Sequence, residues 1–301
     1  MFFNLGFTKK ELALLDIKEI FRSLEYNDVN LVTDYLAKLN LSDEVQNYFS
    51  GRNVLVTGGA GAIGSNLVIA LSKLLGSSGM VIVLDNLTAI KGNNPIDFPS
   101  LPNVMFVKGD VRSDIDLKRV FRERPTIIYH LAAFFANQNS VDYPENSADV
   151  DINGMIKLLD LSQFTNVERF VYASSGCAIY GSYGKMPLKE DFISMHLTTP
   201  YQINKMAGEM YSNFYFHHYG LKTVNCRFFN SFGPGEVPGQ YRNVIPNFIY
   251  WSMQNKSLPL TGTGDETRDF TYVLDLVQGL IKAAFYDDAI GQAFNLASGK
   301  E

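Results

Sequence analysis

From residue 53 onward, short apolar runs recur at 54–56, 80–84, 104–107, 127–131, 170–173 and 223–228. Runs this short, rich in Val, Ile and Phe and with little polar alternation, predict strands buried on both faces. Between them, residues 65–75, 114–123, 145–164 and 200–219 space their apolar positions three and four apart, which predicts amphipathic helices. Strand and helix in alternation predict an α/β fold, a doubly wound parallel sheet with helices on both faces. In that architecture ligands bind beyond the carboxyl ends of the strands, at the point where strand order reverses. The predicted strand ends carry Gly58, Asp85, Asp110, Ala132, Ser175 and Asn230, so one crevice should collect them.

The two ends of the chain differ from this middle. Helical periodicity at 10–24 and 28–39, with a shorter piece at 42–49, predicts an added helical segment over residues 1–50. The central domain is then 51–230, and residues 231–301 form a smaller substrate lobe. That lobe begins with a stretch at 230–239 that is too rich in Gly and Pro for a regular element. A helix over 245–254, a polar turn at 261–267 and a further helix after 268–275 follow. No internal repeat is found.

Composition narrows the class. The formal charge of -5 gives no basic footprint for nucleic acid, and no apolar stretch approaches the ~20 residues of a membrane helix. Cys177 and Cys226 are the two cysteines, which provide neither a disulfide framework nor metal-ligand spacing and suit a reducing compartment. The apolar start Met1-Phe-Phe-Asn-Leu-Gly-Phe7 is too short for a signal core and runs into Thr8-Lys-Lys. A cytoplasmic enzyme without a metal is the expectation.

The segment Asn53-Val-Leu-Val-Thr-Gly-Gly-Ala-Gly-Ala-Ile-Gly64 places Gly58, Gly61 and Gly64 between a strand and a helix. The glycines allow a tight turn, close backbone approach to a pyrophosphate and the start of a helix whose N-terminal amides favour an anion. Ala62 and Ile63 belong to the same phosphate turn. The second strand ends in Asp85, 21 residues past Gly64, where an acid accepts from the adenosine ribose hydroxyls, with Asn86 beside it. A carboxylate there repels a 2′-phosphate and no Arg or Lys follows before Lys91, which argues for NAD over NADP.

Tyr201 and Lys205, in Tyr201-Gln-Ile-Asn-Lys205, stand four apart behind Pro200, so both project from one face of a helix. An ammonium and the positive ring of an oxidised nicotinamide would both favour phenolate, bringing the tyrosine toward a useful general-base range. The strand Phe170-Val-Tyr-Ala-Ser-Ser-Gly-Cys-Ala-Ile-Tyr-Gly181 ends in small hydroxyl residues suited to a third partner.

Taken in order, these segments resemble the extended short-chain dehydrogenase/reductases, specifically the NAD-dependent nucleotide-sugar epimerase/dehydratase family. Further matching segments are Gly109-Asp-Val111, His130-Leu-Ala-Ala133, Arg227-Phe-Phe-Asn-Ser-Phe-Gly-Pro-Gly235 and Arg268-Asp-Phe-Thr-Tyr-Val-Leu-Asp275. The resemblance runs from about residue 52 to the last residue and implies a Rossmann-like fold. It implies that Asp110 and Val111 flank the adenine and that Leu131, Ala132 and Ala133 line the cofactor channel. Ser175 would donate to the sugar O4, Tyr201 would take its proton, and Lys205 would orient the ribose and depress the tyrosine pKa. Asn230 and Arg268 would hold the sugar diphosphate, a task that suits a guanidinium; an ion pair of Arg268 with Asp265 or Asp269 is the plainer alternative. His130 reads as a core residue. A homodimer is implied, through a four-helix bundle built from two helices of each subunit, here 114–123 and 145–164.

The chain departs from the family's pattern in three places. One residue more than usual stands between Ala173 and Tyr180, so the serine position is Ser175 counted from the strand or Gly176 counted back from Tyr180; we take Ser175. Dehydratases place an Asp-Glu pair just after it, where this chain has Gly176, Cys177 and Ala178. Members also continue for several dozen residues past the equivalent of residue 301. With Tyr, Lys and Ser but no dehydratase acids, the simplest reaction is oxidation at C4 of a nucleotide-diphosphate hexose, rotation of the 4-keto sugar and reduction from the other face, a 4-epimerase. Cys177 leaves open epimerisation at C3 or C5, where a weak acid delivers a carbon-bound proton, and its packing as a small apolar side chain is equally compatible. Dehydration, or decarboxylation of a hexuronate held by Ser182, Tyr183 or Arg242, uses the same C4 oxidation. A non-catalytic NAD-binding regulator is the remaining reading, which the presence of both Tyr201 and Lys205 argues against.

Overall fold

The structure is a computed structural model; it describes residue 34, residues 41–88, 101–181, 186–260 and 262–301. The helical expectations at 10–24 and 28–39 and the side chains of Lys91, Ser182 and Tyr183 lie outside the described residues.

Seven parallel strands form the central sheet: β1 (Asn53–Thr57), β2 (Met80–Asp85), β3 (Val104–Lys108), β4 (Ile127–His130), β5 (Arg169–Ser175), β6 (Thr223–Phe228) and β9 (Ala293–Leu296). Their order is β3-β2-β1-β4-β5-β6-β9, so the order reverses between β1 and β4. In register, Val54 faces Val81 on one side and Ile127 on the other. Because side chains alternate along a strand, Val54 and Val56 enter one core while Leu55 enters the other. The first core takes α2 (Ala62–Leu75) and α10 (Val273–Phe285) through Leu67, Leu71, Val277 and Ile281. The second takes α3 (Asp114–Phe121), α6 (Gly154–Gln163) and α8 (Pro200–Tyr219) through Leu117, Leu158 and Tyr215. Two-sided burial explains the continuous apolar runs of β1, β2, β4, β5 and β6, whereas the edge strand β3 is buried only at Val107 and leaves Phe106 exposed. Each fully buried Val, Leu or Ile contributes about 1.5–3 kcal/mol.

The helix expected at 42–49 is present as α1 (Asp43–Phe49), and it joins the first core through the fully buried Phe49. Its Tyr48 ring packs edge-on against Phe285, and Arg52 stacks on that ring while pairing with Glu168.

Three features of the main chain differ from expectation. The helix at 145–164 is α5 (Pro144–Ala148) and α6 joined by a π-helical turn, Asp149–Asn153. The Gly/Pro stretch at 230–239 is irregular only after its first residues, because Asn230–Phe232 (β7) pairs in parallel with Phe270–Tyr272 (β8). Runs of three residues carry too little periodicity to read, and they become strands only because each supplies the other's hydrogen bonds. Two short helices also escaped the pattern, α4 (Asn137–Asp142) and α7 (Gly176–Tyr180). The helix expected at 245–254 is α9 (Val244–Met253).

Candidate active site

The crevice lies where strand order reverses, between the carboxyl ends of β1 and β4. Gly58 leaves β1 with φ of +70°, and a Cβ there would sit 2.6 Å from the Ala132 nitrogen. Only glycine lets the turn after β1 and the segment after β4 approach this closely. Gly64 lies one turn into α2, and a Cβ on it would collide with the Gly58 carbonyl oxygen. Gly61 caps α2 without a side chain, so the first-turn amides of Ala62, Ile63 and Gly64 carry no side-chain cap and are free to meet an anion.

Asp85 ends β2, where its carboxylate accepts from the amides of Ala60 (2.9 Å) and Leu87 (2.8 Å). Burial raises its pKa and these two amides oppose the rise. Two of the four acceptor sites of a carboxylate stay open, enough for the two hydroxyls of a ribose. The glycine cradle, the uncapped helix start and this acid together fit a dinucleotide.

Asp110 has its carboxylate engaged by protein groups. Arg112 binds it in bidentate fashion, Nε and Nη2 each at 2.9 Å, and the Arg112 amide and Asn86 Nδ2 take the remaining sites. The Arg112 hydrogen bond is the main reason its pKa falls to about 2. With its acceptor sites filled, Asp110 forms a fixed wall together with the buried Val111. Arg112, which also pairs with Asp149, had no signature in the sequence pattern.

On the other side of the crevice, α8 begins at a complete capping box: Thr199 accepts from the Gln202 amide and the Gln202 side chain reaches back. Thr199 Oγ1 also donates to Asn137, and the Tyr201 amide donates to Ser140 Oγ at 3.0 Å, tying the helix start to α4. Gln202 Nε2 donates to the Cys177 carbonyl at 3.1 Å, tying it to α7. One face of α8 thereby presents Tyr201, 8% exposed, and Lys205, 4% exposed. Gly208 lets the helix press on β5, since a Cβ there would overlap the Tyr172 hydroxyl. Lys205 Nζ then reaches the Ala173 carbonyl at 2.8 Å and lies 5.0 Å from the Tyr172 ring centre and 5.9 Å from that of Tyr201.

Ser175 is the last residue of β5, with its side chain close enough to the Tyr201 phenol to act on it. Position 176 has no room for any side chain, because a Cβ would stand 2.5 Å from the Phe229 ring. Cys177 is exposed, with Sγ 3.3 Å from Ser175 Oγ. The expected lowering of the tyrosine pKa is not what the protein's own groups produce. Burial pushes the Tyr201 phenol up, Cys177 and Asp151 add to the rise, and Ser175 offsets only part of it. Burial likewise lowers Lys205, while Asp151 and Glu209 oppose that.

His130 is fully buried, bonded through Nδ1 to Thr57 Oγ1 at 2.7 Å and stacked on Tyr172. Burial and then Lys205 lower its pKa to about 3, so it is neutral. The Leu131, Ala132 and Ala133 backbone follows directly, with the Ala132 amide donating to Thr57 Oγ1.

The β7–β8 pairing brings Asn230 and Arg268 to the same end of the molecule; Asn230 Nδ2 donates to the Asp269 carbonyl. Arg268 is exposed and donates to the Thr267 carbonyl, while Asp269 accepts from the amides of Ser298 and Gly299. Two acids elsewhere in the molecule were missed from sequence. Glu236 is pushed up to about 7 by burial, against the pull of Asn243 and Arg242, and burial lowers the neighbouring Arg242. Asp151 is 2% exposed on the π turn. Its signal was available: Ser147, Asp151 and Met155 share a helical stripe that the pattern assigns to the core, and Asp151 puts a charge on it.

Among the described residues no helix is long and apolar enough to cross a membrane, and no group of three or more His, Cys, Asp or Glu could hold a metal.

Residues 54–297 match the profile of the NAD dependent epimerase/dehydratase family. A putative UDP-glucose 4-epimerase of Methanocaldococcus jannaschii is 35% identical over 249 residues, covering 82% of this chain and 77% of that protein. The epimerase Mth375 of Methanothermobacter thermautotrophicus superposes with a TM-score of 0.82 at 52% identity, over 86% of this chain and 75% of that one. The UDP-N-acetylglucosamine 4-epimerase of Methanobrevibacter ruminantium, solved with UDP-N-acetylmuramic acid, gives a TM-score of 0.75 at 33% identity, over 83% and 78%.

Proposed function

The chain belongs to the NAD-dependent epimerase/dehydratase family, and from that premise we propose that it is a 4-epimerase of UDP-hexoses. The observation that carries this reading is the trio Ser175, Tyr201 and Lys205 at the crevice, followed by Gly176 and Cys177 where a dehydratase needs its acids. The uridine diphosphate is taken from what similar proteins bind or are named for.

When bound, NAD would supply a two-electron acceptor for C4 of the sugar and, in its oxidised form, a positive charge. Gly58, Gly61, Ala62, Ile63 and Gly64 hold its pyrophosphate; Asp85 and Asn86 take the adenosine ribose; Asp110, Val111, Leu131, Ala132 and Ala133 wall the channel. Tyr201 accepts the O4 proton as C4 is oxidised and returns it as C4 is reduced. Burial keeps the phenol neutral at rest, so transfer depends on the added positive charge, with the Lys205 ammonium 5.9 Å from its ring. Ser175 donates to O4 and positions it. Lys205 spends one N–H on Ala173 and keeps two for the nicotinamide ribose. Asn230 and Arg268 hold the diphosphate while the sugar turns over; the substrate lobe expected at 231–301 is confined to the residues before α10, because α10 and β9 belong to the central sheet and its core.

A homodimer completes this reading. Exposed apolar side chains gather on one face of α8, at Ile203, Met210, Tyr211 and Phe214, so we place the dimer face on α8 with α6 rather than on α3.

One observation favours a second reading. Cys177 is exposed and 3.3 Å from Ser175 Oγ, close enough to the sugar site to move a proton at C3 or C5. The test incubates the protein and NAD with UDP-glucose, UDP-N-acetylglucosamine and their uronates in deuterated water. Inversion at C4 without solvent deuterium is expected. Deuterium at C3 or C5 transfers the role to Cys177, and loss of water or carbon dioxide refutes the epimerase.

A further inference from the structure

The π turn buries an acid that is tied to α8, the helix carrying Tyr201 and Lys205. Asp151 Oδ1 accepts from the Phe134 amide at 2.7 Å, and Oδ2 is 3.1 Å from Ser147 Oγ. Ser147 Oγ in turn accepts from Asn204 Nδ2 at 2.9 Å and donates to Asp151, which links the acid to α8. Both carboxylate oxygens accept in this arrangement; burial raises the pKa of Asp151, and Lys205 and these bonds oppose the rise. Its hydrogen-bond partners Phe134 and Ser147 are neutral, as is Asn204 behind Ser147. Among the charges around it, Lys205 acts on it most strongly.

Lys205 has the complementary need. It is 4% exposed, and a buried ammonium requires a counter-charge. The groups facing it are His130 from β4, Tyr172 from β5, Asp151 from the π turn, and Tyr201 and Glu209 from its own helix. His130 is neutral and the tyrosines are protonated. Glu209 is committed to Arg227, which binds it through Nε and Nη2 at 2.9 and 2.8 Å. Asp151 is the acid left to balance Lys205.

We propose that Asp151 is the buried counter-ion of Lys205 and a positioning residue that couples the segment after β4 to α8 through Phe134, Ser147 and Asn204. It keeps Lys205 charged while Tyr201 exchanges its proton. This rests on Tyr201 and Lys205 being the reacting pair, but its test does not read turnover.

The NAD-loaded protein is labelled with [13Cε]lysine, and the Lys205 resonance, assigned by its loss in Lys205→Met, is titrated in wild type, Asp151→Asn and Ser147→Ala. Asp151→Asn keeps the shape and an acceptor for Phe134 but removes the charge. Its Lys205 midpoint should fall by about one pH unit or more, whereas Ser147→Ala, which keeps the charge, should leave the midpoint in place. An unmoved or raised midpoint in Asp151→Asn, or an equal fall in Ser147→Ala, overturns the proposal. If Asp151→Asn does not fold, the side-chain carboxyl shift of Asp151 in [13Cγ]aspartate-labelled wild type decides: ionised at neutral pH is expected, and a neutral carboxyl overturns it. A protein that epimerises none of the sugars still answers this titration, so the two readings fail separately.

Discussion

Replacing Arg227 by Met should destabilise the protein by about 3–5 kcal/mol, the cost of leaving a buried charge unpaired. Arg227 and Glu209 have side chains only 3% and 5% exposed. Arg227 makes two N–H bonds to Glu209 and gives Nη1 to the Tyr180 hydroxyl (3.0 Å) and the Glu190 carbonyl (2.9 Å). Without it, Glu209 remains in the interior with its partner gone, and Tyr180 keeps only its bond to Asn295. Replacing both, as Arg227→Met with Glu209→Leu, removes the stranded charge and should return to within about 2 kcal/mol of wild type. Urea unfolding at one fixed NAD concentration measures all three variants, because a ligand bound to the folded state adds its own stabilisation. A single variant that loses less than about 1 kcal/mol, or a double variant no more stable than the single, would refute the argument that burial makes this pair interdependent. Glu209 lies two turns beyond Tyr201 on α8, so the single variant should also lose turnover.

Three further outcomes follow from the site. Tyr201→Phe should keep the fold and NAD binding yet lower turnover by about 10²–10⁴-fold, the usual contribution of a general base; near-normal turnover would remove Tyr201 from the chemistry. Gly64→Ala should abolish NAD binding in a calorimetric titration, because the added methyl meets the Gly58 carbonyl across the phosphate turn; unchanged affinity would mean that the turn does not hold the pyrophosphate. Glu236 has its folded pKa raised to about 7, against roughly 4.3 for an unperturbed glutamate. Ionisation is then harder folded than unfolded, so its contribution to stability is intact below the unfolded value and is lost as pH rises through about 7. Melting temperature should fall between pH 5 and 8, and Glu236→Gln should flatten that slope; an unchanged slope would refute the assignment.

Much of the architecture was legible because it is repetitive. A strand buried on both faces must be apolar throughout, and a helix covering it must be apolar every three to four residues, so 54–56, 80–84, 127–130 and 200–219 announced themselves. The phosphate turn was equally legible, since Gly58 and Gly64 are demanded by local backbone crowding. The strands β7, β8 and β9 and the helices α4 and α7 were not, being three to six residues long and stabilised by partners distant in sequence.

Sequence by itself determined the order of elements, the glycine cradle, the acid at Asp85 and the pairing of Tyr201 with Lys205, because each depends on spacing within one element or one turn. Only the tertiary structure decided which charges meet. Asp110 met Arg112, Glu209 met Arg227, and Asp151 was buried on a π turn and tied to α8 through Ser147 and Asn204. Burial then set the Tyr201 phenol high where neighbouring charge alone had promised it low. Desolvation and Coulomb attraction depend on three-dimensional surroundings that no one-dimensional spacing contains.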